Sequence, residues 1–422
     1  PPTTAIRLNM DSGEFQPTSQ GELARWLQDN AAGARRGAQP VGGRTALWYG
    51  HPPAGPAVAV STTRLDRVVD YPARDMTITV EAGLSIEKLE QLLAKEGQRL
   101  GLDCPAPARA TIGGVLATNT SGPRRFGLGT ARDLLLGLTA IDAEGAVFHA
   151  GGRVVKNVAG YDLCKLLVGS LGTLAVLTQV TLKLRPRPEC SHLLWWPVAS
   201  SAQAATLLTR LARSAARPVA IEWLNTRSID EVRQATGGSW PAGAGGALCL
   251  GVEGTEREVA WQLQALRDEL VSASGASGQP AEAVEIAAQA PAVWTALTDL
   301  QVPSDEALTL KATVPPSRLP AVFEQATSRD CPVACHAGTG IAWIRAPEEL
   351  ATVAEASDLL QQLRRQTTQL GGHLSVVNCQ AAWKSGLDLW GSSAGGWHLM
   401  RQLKQRLDPQ GLLNRGRLFG DV

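Results

Sequence analysis

The sequence predicts an α+β fold of more than one domain, and three observations point there. At 422 residues the chain is longer than one ordinary hydrophobic core covers. Up to the proline-rich "RPRPE" at 185–189, β-branched runs and helical-period segments are mixed with turns. Beyond it the texture changes: alanine-rich helical segments at 202–215, 255–272 and 350–370 alternate with short strands such as "PVAIEWL" and "LTLKATV".

In chain order, "QPTSQGELARWLQDNAAG" reads as a helix with Ser19 as N-cap, followed by a glycine-rich turn in "ARRGAQPVGGRTALWYG". The β-branched run from Thr77 to Val80 is a strand stopped by Gly83. "SIEKLEQLLAKEGQRL" is a helix capped by Ser85, with Gly97 near its end. "DLLLGLTAIDAEGAVFHAGG" is a strand pair turning at Glu144-Gly145, and "LGTLAVLTQVTLKLRPRP" is a further strand. "GGSWPAGAGG" and "SASGASGQPAEA" are loops, and the last helix is ended by Asp408-Pro409 before a tail containing "NRGR". No internal repeat is present, which excludes solenoids and propellers.

Composition narrows the function. Forty basic against thirty-nine acidic side chains leave no basic excess for nucleic acid. No apolar run reaches the ~18 residues of a membrane span, and the first 30 residues lack a signal-peptide core. The expectation is a soluble cytoplasmic chain that meets a membrane only peripherally, through partners. Seven scattered cysteines without a CxxC spacing argue for buried reduced thiols, against a disulfide framework or a cysteine-held iron–sulfur cluster.

Two small-residue segments carry the chemistry, "PVGGRT" (40–45) and "ATIGGVLATNTSG" (110–122). Glycine lets backbone approach a ligand closely, and consecutive amides form an anion-binding concavity. Arg44, Arg124 and Arg125 are candidate charges, and Thr45, Thr111 and Ser121 candidate hydroxyl donors. Neither segment is GxGxxG after a first strand or GxxxxGK[ST], so the Rossmann and P-loop readings fail on pattern.

These motifs, in this order, resemble the FAD-binding (PCMH-type) domain shared by vanillyl-alcohol oxidase, D-lactate dehydrogenases and glycolate oxidase. The segment 151–186 resembles that family's closing signature through Lys156, Gly160, Tyr161, Asp162, Gly169, Gly172 and Thr173. "LKQRLDPQGLLNRGRL" resembles its C-terminal return segment, with Asn414-Arg415-Gly416 where the family has NPG. The resemblance implies an α+β FAD domain in two subdomains at 1–190, an α/β cap with an antiparallel sheet at 191–394, and a return segment at 395–422. It implies FAD held by Gly42, Gly43, Arg44 and Thr45 at the pyrophosphate. Thr111, Gly113, Gly114, Asn119, Ser121, Gly122 and Gly127 would line the rest, and Val176 would lie near the adenine end. Neither His51 nor Cys104 sits at a tethering position, so the FAD is expected to be noncovalent.

The catalytic members of the family carry HxGDGNxH and GxxSxEHGxG segments in the cap. Here "HAGTGIAW" (336–343) has Thr339 for the acid and Trp343 for the second histidine, and "GGHLSVVNCQAAWK" has Val377 and Asn378 for Glu and His. One histidine is a poor metal site, and valine is no base; His336 and His373 are read as packed or surface residues, no metal is expected, and no catalytic residue is assigned. A kept flavin cradle with an eroded cap resembles the smaller flavin subunit of bacterial glycolate oxidase. That resemblance implies a paralogous full-length flavin subunit and an iron–sulfur subunit as partners, with electrons relayed from glycolate oxidation. The alternatives are a free-standing 2-hydroxy-acid or alcohol oxidoreductase and a scaffold with a vestigial flavin site. Trp383, Trp390 and Trp397, seven residues apart, are read as a buried seam rather than a subunit interface.

Overall fold

A computed structural model describes residues 13–152, 161–274, 283–302, 308–347, 349–391 and 396–418. The chain forms two compact units: Pro1–Ser121 with Gly129–Arg187 and Ser392–Val422, and Gly122–Leu128 with Pro188–Gly391. Lys156 and Gly160 of the closing signature, and most of the "SASGASGQPAEA" loop, lie outside the described residues.

Among its described residues the first unit holds two larger sheets and a two-stranded one that pairs Gln98–Arg99 with Arg185–Pro186. Ser19 caps the helix Gln20–Ala32 by accepting from the Glu22 amide, as its hydroxyl predicts. That helix buries Leu23 and Leu27 against a parallel sheet in the order Glu14–Phe15, Ala57–Ser61, Gly37–Val41. The second sheet is antiparallel, in the order Val68–Asp70, Thr77–Glu81, Val176–Lys183, Leu135–Ile141, Val147–Gly151. Ile78 and Val80 pack there with Leu89 and Leu93 of the Ser85-capped helix Ile86–Ala94 and with Val115 and Leu116 of the helix Ile112–Thr118.

The C-terminal helix Trp397–Leu407 inverts the usual arrangement. Leu399, Met400 and Leu403 are exposed, while Lys404 is buried. The lysine Nζ donates to Asp408 Oδ2 (2.5 Å) and to the carbonyls of Thr173 and Leu413 (2.7 Å each). Asp408 in turn accepts the amides of Leu412 and Leu413, so both buried charges are fully hydrogen-bonded. The loop so fixed runs as a further parallel edge beside Gly37–Val41: the Ala38 amide donates to the Leu412 carbonyl and the Asn414 amide to the Ala38 carbonyl.

The second unit is built on one antiparallel sheet of eight strands, from Val284–Ile286 through Cys190–Pro197, Ala247–Gly254, Ala220–Leu224, Val333–His336, Ile341–Arg345 and Thr309–Thr313 to His373–Asn378. Helices Ser201–Leu211, Glu256–Ser274, Leu319–Thr327 and Val353–Gln369 pack on a core that includes Trp223, Leu250 and Leu310. Helices Thr226–Thr236 and Ala290–Asp299 pack on a second core with Trp195, Cys249 and Trp294. Tryptophans 195 and 196 are therefore buried strand residues. The spacing of the other three does not make one seam. Trp383 is buried in the larger core and Trp390 packs partly buried on it, as read from the sequence, while Trp397 begins the C-terminal helix of the first unit.

All seven cysteines are free thiols, and Cys164, Cys249, Cys331, Cys335 and Cys379 are buried. Burial pushes Cys331 up to about 12 and Cys379 to about 11, which leaves them unreactive.

Candidate active site

The strand Gly37–Val41 delivers Gly42 and Gly43 against the second loop. A Cβ on Gly43 would stand 1.6 Å from the Arg109 carbonyl oxygen, and one on Gly42 would stand 2.1 Å from Thr111 Oγ1. Gly43 is glycine because two loops meet there backbone to backbone, and Gly42 because the Thr111 side chain packs directly against it. Among the described residues no acceptor meets the amides of Gly42, Gly43 or Thr45. Arg44 turns its charge elsewhere, pairing with Glu14 at 3.0 Å.

The second loop differs from expectation. Its leading amides are already used inside the protein: Ile112 donates to Leu84, Gly113 to Ala82, and Val115 to Thr111 carbonyls, while Gly114 donates to the capping Thr111 Oγ1. Those four amides are therefore not offered to an anion, and the free amides of the first loop are. The second gives shape, because its helix lays small residues along one wall.

Those walls form an open cleft. Gly42, Gly43, Arg44 and Thr45 line it, as do Thr111, Gly113, Gly114 and Val176. The other four expected residues do not. Asn119 is the exposed left-handed C-cap of Ile112–Thr118. Ser121 is buried, and its Oγ has no partner. Gly122 and Gly127 belong to the second unit, where the Gly127 amide donates to the Val219 carbonyl and a Cβ would meet Val219 Cα at 2.6 Å. Arg124 is held in that unit too: it pairs with Glu253 at 2.7 Å and stacks over Trp294 at 3.7 Å. Ser191 Oγ links Glu253 and the Trp294 indole.

Among the lining residues that the sequence reading did not assign are Gln39, Asn414 and Arg417. Gln39 Nε2 and Asn414 Oδ1 are buried without partners. Arg417 is 4% exposed; it donates to the carbonyls of His51 and Leu47 and has no ion pair among the described residues. Cys104 also lines the cleft, with its thiol donating to the Pro105 carbonyl. Free amides, a buried cation and orphaned amide groups beside apolar Val41, Trp48, Val115 and Leu177 fit a ligand that joins a diphosphate to an aromatic ring system. FAD is such a ligand.

In the second unit His336 is sealed on both sides. Its Nδ1 lies 2.8 Å from Glu222 Oε2, and the Trp343 indole donates to Nε2 at 3.2 Å. Indole N–H is only a donor, so Nε2 accepts and Nδ1 carries the proton. Trp343 thus occupies the nitrogen a metal would need. Among the described residues no three His, Cys, Asp or Glu side chains converge as metal ligands. Val377 and Asn378 end the strand His373–Asn378, both buried, and His373 is exposed at its start. Lys311, paired with Trp343 across the sheet, lies 5.2 Å from that ring; burial, helped by Arg125, pushes its ammonium down to about 8.

Comparison with known proteins agrees with this geometry. Residues 12–151 match the model of an FAD binding domain, and 187–375 with 391–418 match the C-terminal domain of FAD linked oxidases. The chain is 30% identical to glycolate oxidase subunit GlcE of Escherichia coli, over 90% of this chain and 92% of that one. It is 30% identical to a D-lactate dehydrogenase of Archaeoglobus fulgidus over 59% of this chain, a match that spans only 56% of that enzyme. Among solved structures, an alkyldihydroxyacetonephosphate synthase superposes with TM-score 0.66 and 18% identity, covering 95% of this chain and 75% of the other, and shares the fold.

Proposed function

The chain belongs to the FAD-linked oxidases and is an FAD-dependent oxidoreductase; from that premise we propose that it is the smaller flavin subunit of a glycolate oxidase. In this role it holds noncovalent FAD and passes on electrons that a paralogous full-length flavin subunit takes from glycolate, with an iron–sulfur subunit as the other partner. Bound flavin supplies reversible two-electron chemistry.

The observation that carries the reading is the contrast between the two units. The cleft keeps free amides and a buried cation, while both ring nitrogens of the cap histidine are engaged by Glu222 and Trp343 and no base stands at Val377. Support for the partner set comes from the near full-length match to a subunit named for such a complex. A second reading, direct oxidation of a 2-hydroxy acid by this chain, draws support from the similarity to a D-lactate dehydrogenase.

Purified chain is expected to carry flavin in equimolar amount and to release all of it to the supernatant on acid precipitation. Flavin that stays with the pellet would overturn the noncovalent reading and point to Cys104. A colourless chain that takes up no added FAD would overturn the function itself.

A further inference from the structure

We propose that Arg417 supplies the cationic contact to the diphosphate of the bound dinucleotide, an inference that rests on the FAD reading above. Arg417 stands on the return segment, lines the cleft and is almost fully buried. Its guanidinium grips two carbonyls, those of Leu47 and His51, in the stretch that directly follows the free amides of Gly42, Gly43 and Thr45. The fork has more donors than those two carbonyls use. Carbonyl dipoles offset part of the desolvation cost, but they do not neutralise a full charge.

Among the described residues no carboxylate pairs with Arg417, and burial pushes its guanidinium down to about 10. Of the other arginines that the sequence offers for this task, Arg44 pairs with Glu14, Arg124 pairs with Glu253, and Arg125 belongs with Arg124 to the second unit. A buried cation of fixed direction, without a counter-charge and beside unpaired amides, calls for an anionic group in the cleft. Oxidised FAD carries its full negative charges on the diphosphate, which suits a planar fork of donors. The remaining candidate is the ring of the reduced flavin, which gains negative charge only on reduction.

The test uses the full chain, stripped of flavin and titrated with FAD, ADP and riboflavin at two salt concentrations. Arg417→Gln is expected to weaken FAD and ADP binding roughly 10- to 100-fold, with riboflavin affinity unchanged and the salt dependence reduced. Arg417→Lys is expected to recover most of the FAD affinity. Equal loss for FAD and riboflavin would overturn the proposal, because Arg417 would then only pin the loop through Leu47 and His51. So would an unchanged FAD affinity accompanied by a shifted flavin midpoint potential, which places the charge at the ring. Should Arg417→Gln not fold, Arg417→Lys keeps the charge and loses the fork, and it must retain the preference for FAD over riboflavin; loss of that preference overturns the proposal. Failure of the FAD reading is separately visible as a wild-type chain that binds none of the three.

Discussion

Replacing Asp408 by alanine is expected to cost about 3–5 kcal/mol and to empty the flavin cleft. The carboxylate is 2% exposed and meets the Lys404 ammonium at 2.5 Å, while its oxygens accept the Leu412 and Leu413 amides. Alanine leaves a buried ammonium with carbonyl partners only and frees two amides at once. The return segment is tied to Ala38 through the same residues, so Asn414 and Arg417 lose their mounting on the cleft wall. Urea unfolding of the flavin-free chain measures the first effect, and flavin content on purification the second. The double variant Lys404→Met with Asp408→Leu is expected to recover most of the stability, because replacing a buried pair by apolar groups is often neutral. A single variant as stable as wild type would show that the pair contributes nothing to seating the segment.

Gly43→Val is expected to abolish FAD binding, with affinity lowered by more than about 100-fold, through geometry alone. Even a Cβ would sit 1.6 Å from the Arg109 oxygen and 2.5 Å from its carbon, both backbone atoms that cannot swing aside. The two loops must separate, and the free amides of Gly42, Gly43 and Thr45 move with them. Gly114→Ala is the contrasting control. There the added methyl meets only Thr111 Oγ1, at 3.2 Å, and a few tenths of an ångström of relaxation relieve it. Titration of both flavin-free variants with FAD decides the matter; equal affinities would mean that the loop contact at Gly43 is not what shapes the cleft.

Local chemistry was legible and remote pairing was not. Ser19 and Ser85 announce their helices because an N-cap needs only a hydroxyl and the amides three residues on. Gly42 and Gly43 stand out because a doubled glycine after a strand marks a close approach. That Gly113 and Ile112 spend their amides on Ala82 and Leu84 depends on a strand end some thirty residues away, which spacing does not reveal. Arg417 is one of forty basic residues; it shares its burial with Lys404, and what separates the two is that Lys404 pairs with Asp408 while no carboxylate among the described residues pairs with Arg417. The helical pattern in Trp397–Leu407 locates an apolar face without saying that Lys404, rather than Leu399 and Met400, turns inward. Gly122 and Gly127 read as a continuation of the glycine-rich loop, yet packing against Val219 and the Arg124–Glu253 pair give their segment to the second unit. That the Trp343 indole donates to His336, and that Glu222, more than a hundred residues earlier, comes within hydrogen-bond reach of the same ring, depends on strand pairing that spacing does not reveal.

The proposed division of labour is tested most directly by anaerobic mixing of the purified flavin-loaded chain with excess glycolate while the visible flavin band is followed. The flavin is expected to stay oxidised with the chain alone and to bleach once the full-length flavin subunit is added. Bleaching by glycolate in the isolated chain would contradict the relay role and assign substrate oxidation to this chain.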